Sequence, residues 1–204
     1  MDAGRLFIKG GLVMYPLLIC SIIAIAILIE RVRMYNAAKS NMETLKESVS
    51  QLVPQGKWAE LRQVCQDDGG VAAELVETAA AQNHDIDKQT QALQGAAGAI
   101  AARLRAHLNY LETIVTLAPL LGLLGTVTGM IGSFSVLSVS NGEPFAITGG
   151  VGEALVATAT GLCVAIIALV IHAYLVQRED NLVSQMEEVG AVYMTALVGD
   201  NNAA

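Results

Sequence analysis

The hydrophobic pattern of the chain begins with a stretch at residues 10–29 that is long enough to cross a membrane. Its 20 consecutive uncharged residues, wound as a helix, rise about 30 Å, the thickness of the hydrocarbon core of a bilayer. Arg5 and Lys9 precede it, as in a signal peptide, but the run is too long and lacks a cleavage site of small residues. The pattern therefore predicts a first transmembrane helix that is retained as an anchor.

A second apolar stretch covers the 65 residues of 113–177, in which Glu143 and Glu153 are the charged side chains. It is too long for one span, and a turn-rich segment that ends in Pro144 interrupts it. The pattern therefore predicts a hairpin of two further spans. Their bounds are 113–140 and 150–176, with a connection at 141–149.

Between these stretches the pattern changes to amphipathic helices, which makes the predicted fold all-α. Apolar residues recur every three or four positions, so that they share one helix face. They are Met42, Leu45, Val49 and Leu52, then Trp58, Leu61 and Cys65, then Leu93, Ala97, Ile100, Leu104, Leu108 and Leu111. Pro54 and Gly56 separate the first two helices, and a diglycine at Gly69 closes the second. No strong stop lies between Leu93 and Ser140, so we expect one helix of 48 residues there.

The positive-inside rule orients the predicted spans. Lys and Arg residues follow the first span, and further Arg residues lie before the second span and after the third. The connection at 141–149 contains neither Lys nor Arg. These flanking residues are Arg31, Arg33, Lys39, Lys46, Arg103, Arg105 and Arg178. We therefore expect residues 1–9 and the connection outside, and 30–112 and 177–204 in the cytoplasm. Of these cations, the four that we expect to anchor at the inner leaflet, with contact to acidic membrane lipid, are Arg31, Arg33, Arg103 and Arg105.

Composition and charge narrow the function further. With 53% hydrophobic and 15% charged residues the chain fits an integral membrane protein, and a net charge of −7 without a basic cluster argues against nucleic-acid binding. Cys20, Cys65 and Cys163 are odd in number and far apart, so we expect buried thiols. The histidines are isolated and no hydrolase, metalloprotease or P-loop motif is present, so we expect no enzyme, metal or cofactor.

Each span of the predicted hairpin has one face of small residues. At about 100° per residue, small and hydroxylated side chains of the second span lie within about 80° of Gly122, and alanines align on the third. The faces are Gly122, Gly125, Thr126, Gly129, Gly132, Ser133 and Ser140, and Ala154, Ala157, Gly161, Ala165 and Ala168. Small faces are typical of close helix packing in membranes. We assign that packing to Gly122, Gly125, Gly129, Ala157 and Gly161.

Glu153 is the residue that helix packing does not explain. An ionised acid near the bilayer centre costs at least about 2.5 kcal/mol, so such residues tend to face a cavity on an ion pathway. Alternatively, Glu153 lies at the membrane surface, where the N-terminus of the third helix stabilises it. Thr158, about 140° further round the helix, and Thr126 and Ser133 on the facing span add hydroxyls, which favours a proton or cation pathway.

These residues resemble the ExbB/TolQ/MotA proton-channel family. The matching segments are A-P-L-L-G-L-L-G-T-V-T-G-M-I at 118–131, G-E-P at 142–144 and G-G-V-G-E-A-L-V-A-T-A-T-G-L at 149–162. The resemblance is strong over about 110–180 and most like the ExbB branch, with TolQ next. The MotA branch normally lacks the glutamate and has four spans, which argues against a flagellar stator.

The resemblance implies a pentamer of three-span subunits in the bacterial inner membrane, with the second and third helices around a central pore. It implies a partner dimer of a single-span ExbD-like or TolR-like protein, whose membrane Asp is essential, and a TonB-like protein that spans the periplasm. It further implies that Glu153 is the pore glutamate and that Thr126 and Thr158 are pore threonines. The proton motive force would then energise TonB-dependent transport across the outer membrane.

Three other functions remain open from the sequence. A TolQ-like subunit would energise envelope maintenance instead, and a structural membrane scaffold would use the small faces only to assemble helices. A transporter with its own substrate would show an internal repeat, which three unequal spans do not. The sequence does not choose between Ton and Tol coupling, and the carboxylate favours protons over sodium.

Overall fold

This computed structural model describes residues 10–82, 86–139 and 145–201, and the regular secondary structure within them is all helical. This confirms the predicted all-α class. The helices are α1 (Met14–Ala37), α2 (Met42–Leu52), α3 (Trp58–Asp68), α4 (Val71–Ala80), α5 (Ile86–Arg105), α6 (Leu108–Val139) and α7 (Phe145–Asn201). They form two compact units. Unit 1 comprises residues up to 29 and 107–174, and unit 2 comprises 30–106 and the chain from 175 onward.

Unit 1 is built from the first part of α1, from α6 and from the first part of α7. Its core is small, with Leu17 of α1 packed among Ala118 of α6 and Ala165 of α7. The outward faces carry exposed large apolar side chains. Examples are Leu18, Ile19, Ile22 and Ile23 on α1, Leu120, Leu123, Leu124 and Val127 on α6, and Leu155, Leu162, Ile166 and Val170 on α7. Such surfaces indicate lipid or further protein around the unit.

Two helical stretches among the described residues, Ile86–Ser135 and Gly149–Gly199, are long and apolar enough to cross a membrane. The first of them includes the junction between α5 and α6. The residues of α1 from Met14 to Ile29 are uncharged as well. The first span therefore stays a prediction, whereas the two apolar helices of the predicted hairpin are present.

Helices α6 and α7 approach so closely that no side chain would fit at the glycines of their contact. A Cβ atom added to Gly161 would lie 2.6 Å from the carbonyl oxygen of Ala118 and 2.9 Å from the Cα of Gly122. A Cβ on Gly122 would lie 3.1 Å from the Cα of Thr158, and one on Gly125 would overlap the Cβ of Ala157. The small faces of the two helices therefore meet each other.

The long helix expected between Leu93 and Ser140 is interrupted, so that prediction is wrong. Helix α5 ends at Arg105, and α6 begins at Leu108. His107 between them has φ of 69°, in the left-handed region that a residue other than glycine rarely adopts. The sequence carries neither Gly nor Pro at this point, which is why the pattern gave no sign of the break. Ser140 itself lies outside the described residues.

Two side chains of α1 satisfy the open end of α5 within unit 2. The last carbonyls of a helix have no partner in the helix itself. The guanidinium of Arg31 donates to the Arg103 carbonyl at 3.1 Å, and the hydroxyl of Tyr35 donates to the Leu104 carbonyl at 2.9 Å. Both side chains are buried. This capping secures the C-terminal end of α5 immediately before the break.

Three arginines expected at the inner leaflet have partners inside unit 2. Arg31 is 3% exposed and pairs with Glu30 at 2.9 Å, in addition to the bond that it donates to α5. Arg103 pairs with Glu74, and Arg105 pairs at 3.0 Å with the buried Glu179 of α7. These arginines therefore hold helices together within the unit.

The remainder of unit 2 is a bundle in which α2 and α3 have the predicted limits, whereas α4 was not predicted. The Asn41 side chain caps α2 by accepting from the Thr44 amide, and Gly69, with φ of 68°, ends α3. Helix α2 packs on α3, α3 packs on α4, and α4 packs on α5. The unit 2 part of α7 buries one stripe, formed by Leu182, Met186, Val189, Tyr193 and Leu197. The hydroxyl of Tyr193 donates to the buried Gln89 at 2.9 Å.

Replacement of Gly161 by Ala should destabilise the protein by about 1–3 kcal/mol, because the added methyl group meets backbone atoms that have little freedom to move. Gly152→Ala on the same helix is the matched control, since a Cβ there has nothing within 4 Å. Thermal unfolding in detergent micelles measures both variants. Equal unfolding midpoints would show that the two helices do not pack as closely as described.

The stability of unit 2 should fall as the pH rises above about 9. Burial, with smaller contributions from Glu77 and Asp68, raises the pKa of Cys65 from 9.0 to about 12, and burial also raises the pKa of Tyr193. The folded state therefore holds these protons more tightly than the unfolded state. Stability is complete below pH 9 and is lost as the pH rises toward 12.

Unfolding by urea at pH 7.5 and pH 10.5, followed through the fluorescence of the one tryptophan, Trp58, measures this loss. Cys65→Ala should show a smaller fall in stability between the two pH values, because the group that titrates has been removed. Cys20 and Cys65 are buried as expected, but Cys163 is exposed in unit 1, so the prediction of a buried thiol is wrong there. Cys163→Ala is therefore the control and should behave as the unmodified protein. An identical fall in both variants would exclude Cys65 as a source of the pH dependence.

Candidate functional site

Glu153 lies well inside helix α7. The helix begins at Phe145, within the connection expected at 141–149, and its first turn contains no acidic residue. Glu153 follows eight residues later, whereas the stabilising effect of a helix N-terminus fades within the first turn. Stabilisation by the helix end therefore does not explain why an acid occupies this position. Glu143, the other charge of the apolar stretch, lies outside the described residues.

A cavity of about 400 Å³ opens beside the Glu153 side chain in unit 1. Its walls come from the turn before α1, from one face of α6 and from α7. The lining residues are Leu12, Thr128, Gly129, Gly132, Ser133, Gly150 and Glu153. The cavity exists because three glycines line it in place of larger side chains. It is large enough for several water molecules, each of which takes up about 30 Å³ in the liquid.

The carboxylate of Glu153 packs against the turn that precedes α1. Gly11 in this turn has φ of 70°, and a Cβ atom at this position would overlap a carboxylate oxygen of Glu153. The amide of Met14 donates to the Gly11 carbonyl at 3.2 Å, which starts the helix. Glycine at position 11 therefore serves both the left-handed backbone and the close approach of the acid.

The two threonines expected beside Glu153 hydrogen-bond to backbone carbonyls. The Thr158 hydroxyl donates across the helix contact to the Gly122 carbonyl at 2.9 Å. The Thr126 hydroxyl donates within its own helix to the Leu123 carbonyl at 2.6 Å. Neither threonine lines the cavity, whereas Ser133, the third hydroxyl expected near Glu153, does. Thr158 connects the helices, and Thr126 remains on the half-exposed flank of α6.

Sequence reasoning missed Thr128 and the Gly11 turn as neighbours of the acid. Thr128 lies four residues before Gly132 and would have been found by extending the small face of α6 toward its edge. Its hydroxyl donates to the carbonyls of Leu124 and Gly125 at 3.0 and 3.2 Å. Only the diglycine at the start of the first apolar stretch could have indicated the turn. The contact of this turn with Glu153 joins residues more than a hundred positions apart.

The electrostatic surroundings of Glu153 contain no countercharge in the described part of the chain. Among residues 10–82, 86–139 and 145–201, no Lys, Arg or His lines the cavity, and none forms an ion pair with Glu153. Its polar neighbours are the hydroxyls of Thr128 and Ser133, which can accept or donate a hydrogen bond. The site can hold a carboxyl group in contact with water inside an apolar unit.

Comparison with known proteins identifies the family. The family model of the MotA/TolQ/ExbB proton channels matches residues 66–188. A Synechocystis protein named as ExbB-like biopolymer transport protein 1 is 34% identical over 194 residues, which cover 91% of this chain and 75% of the relative.

Two further relatives each match a shorter segment. The Tol-Pal system protein TolQ of Pseudomonas aeruginosa and the biopolymer transport protein ExbB of Salmonella typhimurium are each 36% identical over 84 residues. Each match covers 41% of this chain, and the matches cover 36% of the TolQ protein and 34% of the ExbB protein. Because the family model covers more than half of the chain and contains both Glu153 and the α6–α7 contact, the protein belongs to the MotA/TolQ/ExbB proton channel family.

Proposed function

We propose that this chain is an ExbB-like subunit of an inner-membrane proton channel that converts the proton motive force into mechanical work. The observation that carries the proposal is Glu153. In a chain of this family it places a carboxyl group beside a cavity, inside an apolar unit and without a countercharge among the described residues. Placing an ionisable acid in an apolar environment costs free energy, and acids found there are typical of an ion pathway.

The proposed topology has three spans, at 10–29, 113–140 and 150–176. The exposed apolar faces of α1, α6 and α7 support it, since they are suited to lipid or to neighbouring subunits. Positive charges support the orientation, with residues 30–112 and 177–204 in the cytoplasm and the N-terminus in the periplasm. In this arrangement the cavity beside Glu153 lies toward the periplasmic end of the third span.

The subunit is proposed to act in a homopentamer around a dimer of a single-span partner of the ExbD or TolR type. The outward apolar faces of unit 1 supply surface for such neighbours. The partner contributes a membrane Asp, and a TonB-like protein passes its motion to the outer membrane. These partners follow from the family resemblance of residues 118–131 and 149–162.

Glu153 is proposed to exchange protons with water in the cavity and so to feed the partner's Asp. Ser133 and Thr128 provide hydroxyls on the same cavity wall, while Thr158 sets the spacing of α6 and α7 through its bond to Gly122. Thr126 is proposed to lie on the pore side of α6. The membrane potential supplies about 2.3 kcal/mol per charge per 100 mV, close to the cost of placing a carboxylate in the bilayer.

A TolQ-like role in envelope maintenance is the second candidate. The TolQ and ExbB relatives are equally similar to this chain over segments of equal length, so this similarity does not separate the two couplings. Both roles require the same proton pathway. A scaffold without conduction would use the Gly161 contact and the other small residues but would not need Glu153.

Proton flux into vesicles that contain the protein with its single-span partner tests the proposal. Glu153→Gln keeps the size of the side chain but removes its titration, so the flux should fall at least about tenfold, the factor that corresponds to about 1.4 kcal/mol in a barrier. Glu187→Gln, at an exposed acid of unit 2, is the control and should leave the flux unchanged. Repeating the measurement at low and high sodium identifies the ion.

Flux through Glu153→Gln at the rate of the unmodified protein would exclude Glu153 from the pathway. A reconstituted complex with no flux above that of empty vesicles would instead favour the scaffold. Flux that rises with sodium at constant pH would assign sodium in place of protons.

A further inference from the structure

The turn that precedes α1, residues 10–13, touches the end of the Glu153 side chain within unit 1. A Cβ atom built on Gly11 would overlap a carboxylate oxygen of Glu153, and it would lie 3.2 Å from the Cδ and 3.6 Å from the Cγ of the same side chain. These three atoms all lie within contact distance of a methyl group that the protein lacks. The backbone of Gly11 therefore lies directly against the carboxyl group.

The position of this turn is set by the residues that follow it. Val13, Met14 and Leu17 are buried in the core of unit 1. The amide of Met14 donates to the Gly11 carbonyl at 3.2 Å, which is longer than the common N–H···O distance of about 2.9–3.0 Å. Burial of three apolar side chains, more than a strong bond within the turn, therefore holds Gly11 in place.

The start of α1 has no capping side chain of its own. The first amides of a helix have no partner within it, and a Ser, Thr, Asp or Asn side chain commonly accepts from them. Residues 10–13 are Gly, Gly, Leu and Val, and the first turn of α1 contains no acidic residue. The carboxyl group of Glu153 lies against this turn, where the amides carry partial positive charge. The turn therefore attracts an ionised Glu153 more strongly than it would attract a neutral amide of the same size.

Without this contact, several conformations are open to the Glu153 side chain. A glutamate has two torsions with three staggered wells each and a broad terminal torsion. The side chain is half-buried, and among the described residues none holds it by an ion pair. The cavity of about 400 Å³ beside it leaves room for the carboxyl group to turn. The backbone of Gly11 occupies part of the accessible space and so restricts these conformations.

We propose that Gly11 is a positioning residue for Glu153, so that the first helix takes part in the ion site. The turn holds the carboxyl group at the cavity into which Thr128 and Ser133 bring hydroxyls, and where water is available for proton exchange. This role goes beyond that of a membrane anchor, which the sequence predicts for the first span. The effect on proton flux rests on the proposed function, whereas the contact between the turn and the acid does not.

Thermal unfolding of the purified full chain in detergent micelles tests the contact without a partner protein. Gly69→Ala is the matched control for backbone strain, since Gly69 has φ of 68° and nothing within 4 Å of an added Cβ. Gly11→Ala introduces the same strain at φ of 70° and also meets the carboxyl group. Its unfolding midpoint should therefore fall about 2–4 °C further than that of Gly69→Ala. Adding Glu153→Asp, which withdraws the carboxyl group by one methylene, should restore that difference.

Proton flux into vesicles that contain the protein with its single-span partner tests the positioning role. Gly11→Ala should reduce the flux about tenfold, whereas Gly69→Ala should leave it unchanged. Glu153→Asp should lower the flux of the unmodified protein, because the shorter side chain loses its contact with Gly11. The same change should raise the flux of Gly11→Ala, because the shorter acid leaves space for the methyl group. A general loss of stability would not produce this reversal.

Equal midpoints of Gly11→Ala and Gly69→Ala would overturn the contact. If Gly11→Ala does not fold, recovery of the folded protein by Glu153→Asp supports the contact, and failure to recover contradicts it. Unchanged flux in Gly11→Ala would overturn the positioning role while leaving Glu153 in the pathway. Absence of flux in the unmodified complex would overturn the proposed function instead, and the unfolding midpoints would then decide whether Gly11 holds the acid.

Discussion

The close contact between α6 and α7 is the constraint on which the rest of unit 1 depends. Gly161 lies against the backbone of α6, and Gly122 accepts the hydroxyl bond of Thr158 across the contact. In a membrane there is no hydrophobic force between helices, so association relies on close packing and on bonds of this kind. The small residues that permit the contact also leave the bulky side chains on the outside. Their exposure gives the unit its apolar surface.

The same small residues create the space beside Glu153. Where the faces of α6 and α7 continue past Gly129, glycines leave a cavity at the turn before α1. The acid is thereby placed in an apolar unit but beside hydroxyls and room for water, which lowers the cost of keeping an ionisable group there. Packing and chemistry are therefore two consequences of one pattern of small residues.

Unit 2 uses charge in a different way. Arg31 and Tyr35 satisfy the carbonyls at the end of α5, and Arg105 satisfies the buried Glu179. A buried charge is tolerated only when its partners are in place, so these contacts fix the arrangement of the helices within the unit. Arg178 donates to the Asn36 side chain at 2.6 Å, which joins α7 to the end of α1.

The helical class, the apolar stretches, the small faces around Gly161 and the family of the chain could all be read from the amino-acid sequence. The first three of these features are local or periodic, and each follows from the spacing of residue types along one helix. The break at His107 and the contact of the Gly11 turn with Glu153 appeared only in the folded molecule. So did the use of Arg31 as a helix cap. Each of these depends on residues far apart in the chain, or on a backbone bond supplied by another helix, and no local pattern encodes such contacts.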